Sequence, residues 1–162
     1  MKKKITIITP TFNSAQTIKL NIQSIQNQSY INWEHLIIDN HSVDNTLEII
    51  NKNFDLRRKV LSEKDDGIYD AINKGINIAK GEIISILHSD DMFFDNNTLK
   101  EVINKFNTCK TDIVYGNLIY VRKNDITKIL RYWKSCEFKS GLFNKGWSPP
   151  HPSFFVKKKI YK

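Results

Sequence analysis

Apolar positions along the chain follow two alternating rhythms. Short β-branched runs at 4–9, 33–39, 59–62 and 82–87 have the length and composition of strands buried on both faces. Between them apolar residues recur at helical spacing. Ile18, Ile22 and Ile25 form one set, Leu47, Ile50 and Phe54 a second, and Ile68, Ile72 and Ile76 a third. After the fourth strand come Leu99, Val102, Ile103 and Phe106. Punctuation agrees with this alternation. Pro10 is expected to break the first strand, and Asn13 with Gln16 has capping-box spacing for the first helix. Ser42 or Asp44 is expected to cap the second helix, and Asp65-Asp66-Gly67 to open the third. Gly81 sits where a C′ glycine ends a helix, and Asp95 or Asn97 starts the fourth. Strand and helix in turn predict an α/β fold, a mainly parallel Rossmann-like sheet flanked by helices.

The pattern changes after Thr111. Strands are expected at 112–115 and 118–121, joined through Gly116-Asn117, and at 127–133. Residues 138–150 read as irregular, and 151–156 end in a short apolar strand. Trp133 and Trp147 are read as core residues, with sugar stacking as the rarer alternative.

In a parallel sheet the segments following strands one, two and four emerge on one edge, where ligands of open α/β sheets bind. That gathers Thr9-Pro10-Thr11, Asp39 and the adjacent acids Asp90-Asp91 around one crevice. A single Asp after a strand is more often a helix cap; three polar strand ends together suggest a nucleotide site. Adjacent carboxylates repel, so a positive partner is expected, most simply Mg²⁺ or Mn²⁺ with oxygen ligands. Neither Gly-x-Gly-x-x-Gly nor Gly-Lys-Ser/Thr is present, which argues against a dinucleotide site or a phosphate loop.

Composition narrows the partners. The 162 residues are 40% apolar and 26% charged, one domain's worth of ordinary globular sequence with no run long enough to cross a membrane. A net charge of +8 suggests an anionic partner. Its basic residues are scattered over Lys2–Lys4, Arg57–Lys59, Arg122–Lys123 and Lys157–Lys159, with no nucleic-acid recognition motif, so nucleic acid is not expected. Cys109 and Cys136 match no metal-ligand spacing, and a reduced, cytoplasmic protein is the expectation.

Five strings carry a resemblance: Ile-Thr-Pro-Thr-Phe-Asn at 8–13, Asp-Asn-His-Ser-Val-Asp-Asn-Thr at 39–46, Asp-Gly-Ile-Tyr-Asp-Ala-Ile-Asn-Lys-Gly at 66–75, Ala-Lys-Gly-Glu at 79–82 and Leu-His-Ser-Asp-Asp at 87–91. In order and spacing they resemble family 2 glycosyltransferases, inverting enzymes of the GT-A fold. His-Pro-Ser-Phe-Phe at 151–155 resembles a further motif of a branch acting on bacterial surface polysaccharides. The resemblance implies one GT-A catalytic domain over 1–162, with 1–95 as the nucleotide-binding half and 96–162 as the start of a truncated acceptor half. It implies a nucleotide-sugar donor, with UDP the expected nucleotide, and a glycan or lipid-linked glycan acceptor. The enzyme would be cytoplasmic, with peripheral contact at the inner membrane face.

By the same resemblance Thr9, Pro10 and Thr11 line the nucleotide pocket, Asp39 accepts a hydrogen bond from the base, and Asp44 is the second acidic position of that motif. Asp90 and Asp91 occupy the place of the DxD motif, with Asp91 the principal metal ligand and Asp90 near the ribose or the metal's waters. Asn40, where the family often has glycine, and His41 depart from the pattern. Asp66 and Lys74 are further candidates for the nucleotide, Lys74 through its diphosphate; a helix cap and a solvated helix face are the competing readings. His88 is read as lining the pocket or as structural. The general base of the family lies in an acidic motif beyond His-Pro-Ser-Phe-Phe, so Asp66, Asp70 and His151 are the resident substitutes. The rival classes are a non-catalytic nucleotide-binding domain and a nucleotidyltransferase.

Overall fold

The computed structural model describes residues 4–161. Four strands, β1 (Ile5–Thr11), β2 (Trp33–Asp39), β3 (Arg58–Ser62) and β4 (Ile83–Ile86), alternate with helices α1 (Ile18–Gln26), α2 (Thr46–Lys52) and α3 (Ile68–Ile78). Then come α4 (Thr98–Thr108), β5 (Ile113–Val114), β6 (Leu118–Arg122), β7 (Asp125–Trp133) and β8 (Phe155–Lys157). The main sheet runs β3-β2-β1-β4-β8-β5. Its first four strands are parallel, while β8 is antiparallel to both β4 and β5. This is the expected α/β architecture.

Alternation along the strands sorts the core. Ile5, Ile7, Trp33 and Ile83 pack with Ile25 of α1, Leu99 and Phe106 of α4, and Phe155. On the opposite face Ile8, Leu36, Ile38 and Ile84 meet Ala71 of α3 and the nearby Ala79. Ile18 and Ile22 of α1 join Ile37 and Ile50, seating α2. Two glycines permit this closeness. A Cβ on Gly75 would lie 2.5 Å from Ile8 Cγ2, and one on Gly81 2.6 Å from the Thr6 backbone nitrogen. Gly81 therefore answers a close strand approach, and the C′ position expected for it is occupied differently: α3 ends at Ile78, with Ala79 extended.

Buried polar groups tie the strands together. Thr6 Oγ1 donates to Glu34 at 2.6 Å, Lys4 pairs with Glu34 at 3.2 Å, and the Lys80 N–H donates to it as well. Burial alone would raise the Glu34 pKa, but these donors outweigh it and the carboxyl ends below its ordinary value. Arg58 Nε donates to His35 Nδ1 at 3.0 Å, so Nε2 carries the proton toward Thr9 Oγ1, 2.9 Å away. Burial, with Arg58 alongside, pushes the His35 pKa well down and keeps the ring neutral.

Several local expectations change. β1 continues through Pro10 to Thr11, because β4 pairing ends at Ile8↔Ile86 and the missing N–H leaves no gap in a ladder. Asn13 adopts φ +46°, and α1 starts after Thr17, so Asn13 does not cap it. Phe54 lies beyond α2 and is exposed. The 112–115 and 118–121 segments do not pair with each other: β5 joins the main sheet through β8, and β6 forms a separate hairpin with β7. Trp133 and Trp147 lie outside the buried core; Trp147 joins Tyr115, Phe138 and Phe143 in a surface aromatic cluster, and Arg131 sits 5.4 Å from the Trp133 ring.

Asp55 supplies a test. Its hydrogen bonds from Arg57 at 2.7 and 3.0 Å overcome burial and hold the carboxyl at about 2, below an unfolded value of about 3.9. This contribution is present above the unfolded pKa and lost as pH falls through the folded one. Asp55→Asn should cost about 1 kcal/mol at neutral pH, discounted because Arg57 is partly solvated. The gap from the parent protein in urea midpoints should close between about pH 4 and about pH 2.

Candidate functional site

Parallel register brings the strand ends together. Thr11 stands opposite Asp39, and Leu87, just past β4, donates its N–H to Ile8 O at 2.9 Å. Beyond this edge lies a cleft of about 1120 Å³. Its walls come from the segment after β1, the 40–44 loop, Asp65 to Ala71, the 88–92 loop, Pro152 and the β6–β7 hairpin.

The loops are held by side chains. Asn13 accepts the Val43 N–H at 3.0 Å, and its own N–H donates to Ser42 Oγ at 2.9 Å. Asp44 accepts the Ala15 N–H at 3.1 Å and the Thr46 N–H at 3.0 Å, fastening the start of α2 to the segment after β1, while the N-cap position expected for Ser42 or Asp44 falls to Asn45. Asn40 Oδ1 accepts the Asp65 N–H at 3.0 Å. The acidic loop is fixed from α1. Asn21 Nδ2 donates to His88 O at 2.9 Å and Asp91 O at 3.0 Å, and Ser14 and Ser89 hydroxyls meet at 2.8 Å.

Asp90 and Asp91 both line the cleft, Asp90 exposed and Asp91 half-buried. Among the described residues neither is in an ion pair. Burial first, and then the neighbouring Asp90 charge, push the Asp91 carboxyl up to about 6, with His151 opposing. Burial lowers the His88 pKa, and its ring stands 6.0 Å from that of His151. Two unpaired carboxylates suit a hard divalent cation that takes its remaining ligands from water and substrate. No group of three or more His, Cys, Asp or Glu able to hold a metal exists among the described residues.

The other candidates separate. Pro10, Thr11 and Asp44 line the cleft. Thr9 does not: it is buried beneath, facing His35. Asp39 is also fully buried, accepting from Ser42 N–H at 3.1 Å, from the Ser42 hydroxyl, and from Ser62 Oγ at 2.7 Å. Asp66 is exposed and outside the lining. Lys74 is engaged by Glu63 at 3.0 Å and Asp70 at 3.3 Å, and these partners raise its pKa. Asp70 also accepts the Asp66 N–H at 3.2 Å. His151 reaches the cleft margin through His88 and the neighbouring Pro152. Sequence reasoning missed Asn21, whose signal was an amide inside the apolar stripe of α1, and the entire hairpin wall.

The chain matches the family described as Glycosyl transferase family 2 over residues 6–157, and it belongs to that family. A PGL/p-HBAD biosynthesis glycosyltransferase of Mycobacterium bovis is 30% identical over 152 residues, covering 85% of this chain and 59% of its own length. The Escherichia coli protein named UDP-Glc:alpha-D-GlcNAc-diphosphoundecaprenol beta-1,3-glucosyltransferase WfgD is 34% identical over 123 residues, 75% of this chain and 48% of its own. The chain thus spans about half the length of these curated relatives. S. aureus TarS, solved with UDP-GlcNAc, superposes with a TM-score of 0.64 at 28% identity, over 68% of this chain and 33% of that one. The Pyrobaculum calidifontis mannosyltransferase PcManGT shares the fold at a TM-score of 0.66 and 24% identity, over 78% of this chain and 38% of that one.

Removing the Asp44 clamp tests how the wall is built. Asp44→Ala should lower the thermal unfolding midpoint, because the Ala15 and Thr46 N–H groups and the Thr46 hydroxyl lose their acceptor. Asp44→Asn should recover part of that loss.

Proposed function

We propose that this chain is the donor-binding region of a metal-dependent glycosyltransferase. It transfers a sugar from a UDP-sugar to an acceptor hydroxyl with inversion, in bacterial surface-glycan assembly. The observation that carries this reading is the unpaired Asp90-Asp91 loop facing a large cleft at the edge of a parallel sheet. The UDP-GlcNAc complex of TarS and the UDP-Glc donor in the WfgD name support the choice of nucleotide. Residues 1–95 form the nucleotide half and 96–162 begin the acceptor half.

Asp91, with Asp90, holds Mn²⁺ or Mg²⁺. When bound, that ion neutralises charge developing on the departing diphosphate. Thr11 and Pro10 form the floor under the nucleotide. Asp39 recognises the base only if the loop over it shifts, since its carboxylate is fully buried and already accepts from Ser42 and Ser62. Asp66, Asp70 and Lys74 are left to the rim. Asp70 is occupied by Lys74 and the Asp66 N–H, and Asp66 stands outside the cleft, so neither suits a general base. His151 at the cleft margin is the resident candidate that remains; a base from outside these residues would leave a donor-binding, non-catalytic role as the second reading.

Calorimetric titration of UDP should give binding with Mn²⁺ that chelator removes and Asp91→Asn abolishes. No binding of any nucleotide by the folded chain would overturn the proposal.

A lipid-linked acceptor, as in the WfgD name, fits peripheral contact with the cytoplasmic membrane face. No helix among the described residues is long and apolar enough to cross a membrane. On β7, Ile129 and Leu130 are 58% and 59% exposed, beside the cations Lys128 and Arg131. The chain should cosediment with phosphatidylglycerol vesicles and not with phosphatidylcholine, and an Ile129→Asp/Leu130→Asp double variant should lose this. Equal sedimentation of the variant would remove the membrane contact from the reading.

A further inference from the structure

The β6–β7 hairpin is a wall of the cleft with chemistry of its own. β6 pairs with β7 alone among the described strands, so its other edge carries backbone N–H and C=O groups without a strand partner. Four consecutive residues, Leu118 to Val121, line the cleft. Successive side chains on a regular strand point to opposite faces, so this unbroken run, with its register shifts at Tyr120/Val121 and Val121/Arg122, brings backbone as well as side chains of β6 to the cleft. The hairpin closes in the two-residue turn Lys123-Asn124, and both turn residues line the cleft too.

Charge makes that turn stand out. The described lining contains four carboxylates, Asp44, Asp65, Asp90 and Asp91, and one Lys or Arg, which is Lys123. Lys123 is exposed and makes no ion pair among the described residues. Lys74, the other lysine considered for phosphate, is engaged by Glu63 and Asp70 and lies off the lining. No glycine-rich phosphate loop follows β1. An acidic cleft repels a diphosphate, and a cation at Asp90-Asp91 would offset part of that repulsion. A lysine on a turn supplies a point charge with reach, the form in which lysine binds phosphate.

We propose that Lys123, carried into the cleft on the β6–β7 turn, binds a substrate diphosphate. This rests on the glycosyl-transfer reading and deepens it. Two substrates of that reaction carry the group, the nucleotide donor and a lipid-linked acceptor, and the test separates them.

Lys123→Met and Lys123→Arg are compared with the parent chain by calorimetry in Mn²⁺, using UDP, uridine and farnesyl diphosphate as probes, with circular dichroism as the check on folding. Lys123→Met should weaken one diphosphate probe about tenfold or more, the loss of one charge-assisted hydrogen bond, leave uridine unchanged, and be largely restored in Lys123→Arg. Loss confined to UDP assigns the lysine to the donor; loss confined to farnesyl diphosphate assigns it to the acceptor. Unchanged affinity for both diphosphates, or an equal loss for uridine, would overturn the proposal while leaving the glycosyl-transfer reading intact. A lysine that merely balances the acids would instead show itself as tighter Mn²⁺ binding in Lys123→Met with UDP unaffected. Failure of the parent chain to bind either UDP or farnesyl diphosphate would overturn the reading on which the proposal rests.

Discussion

The cleft depends on β1 being held on both edges in fixed register. β2 pairs with it along its whole length and β4 along its first half, with every residue from Ile5 to Thr11 buried. A one-residue slip would turn Ile5 and Ile7 away from α4 and send Ile8 into the wrong core. Side-chain hydrogen bonds reinforce the register where slippage would begin, through Thr6 to Glu34 and Thr9 to His35. With β1 fixed, the places where Thr11, Asp39 and Leu87 leave the sheet follow, and so does the cleft.

Rigidity at the strand ends contrasts with the means used for the loops. There the joints are single amides and carboxylates: Asn13, Asp44 and Asn40 fasten the 40–46 loop to its neighbours, and Asn21 holds the acidic loop through two carbonyls. Each joint spends a side chain on backbone groups, which leaves Asp90 and Asp91 as cleft carboxylates in no ion pair among the described residues. Repulsion between them is therefore retained in the fold, and the loop presents uncompensated carboxylates to the cleft.

Much of this was legible in the sequence. Runs such as Ile83-Ile84 and the Ile18-Ile22-Ile25 stripe announce buried strand and amphipathic helix through local periodicity, and the acids after the fourth strand fall on the correct edge by topology alone. What escaped was set by distant partners. Pro10 remains in its strand because β4 has already ended beside it. Thr9 and Asp39 point inward because His35 and Ser62 are there to receive them. The strand at 113–114 pairs with one beginning at Phe155, and the hairpin stands apart; neither pairing leaves a signal in the short window that suggested a Gly116-Asn117 turn.

The antiparallel placement of β8 has a consequence for the order of events during synthesis. β1 to β4 can assemble from local βαβ units as the chain emerges, but one edge of β4 stays bare until Phe155–Lys157 arrives, and β5 cannot join the sheet before it. Such long-range closure is the slow part of folding. Until it happens, an apolar strand lies open to pairing with another nascent chain. Ribosomes bearing this message are thus exposed to misassembly over a defined interval, which ends when the segment just past His151-Pro152 leaves the exit tunnel.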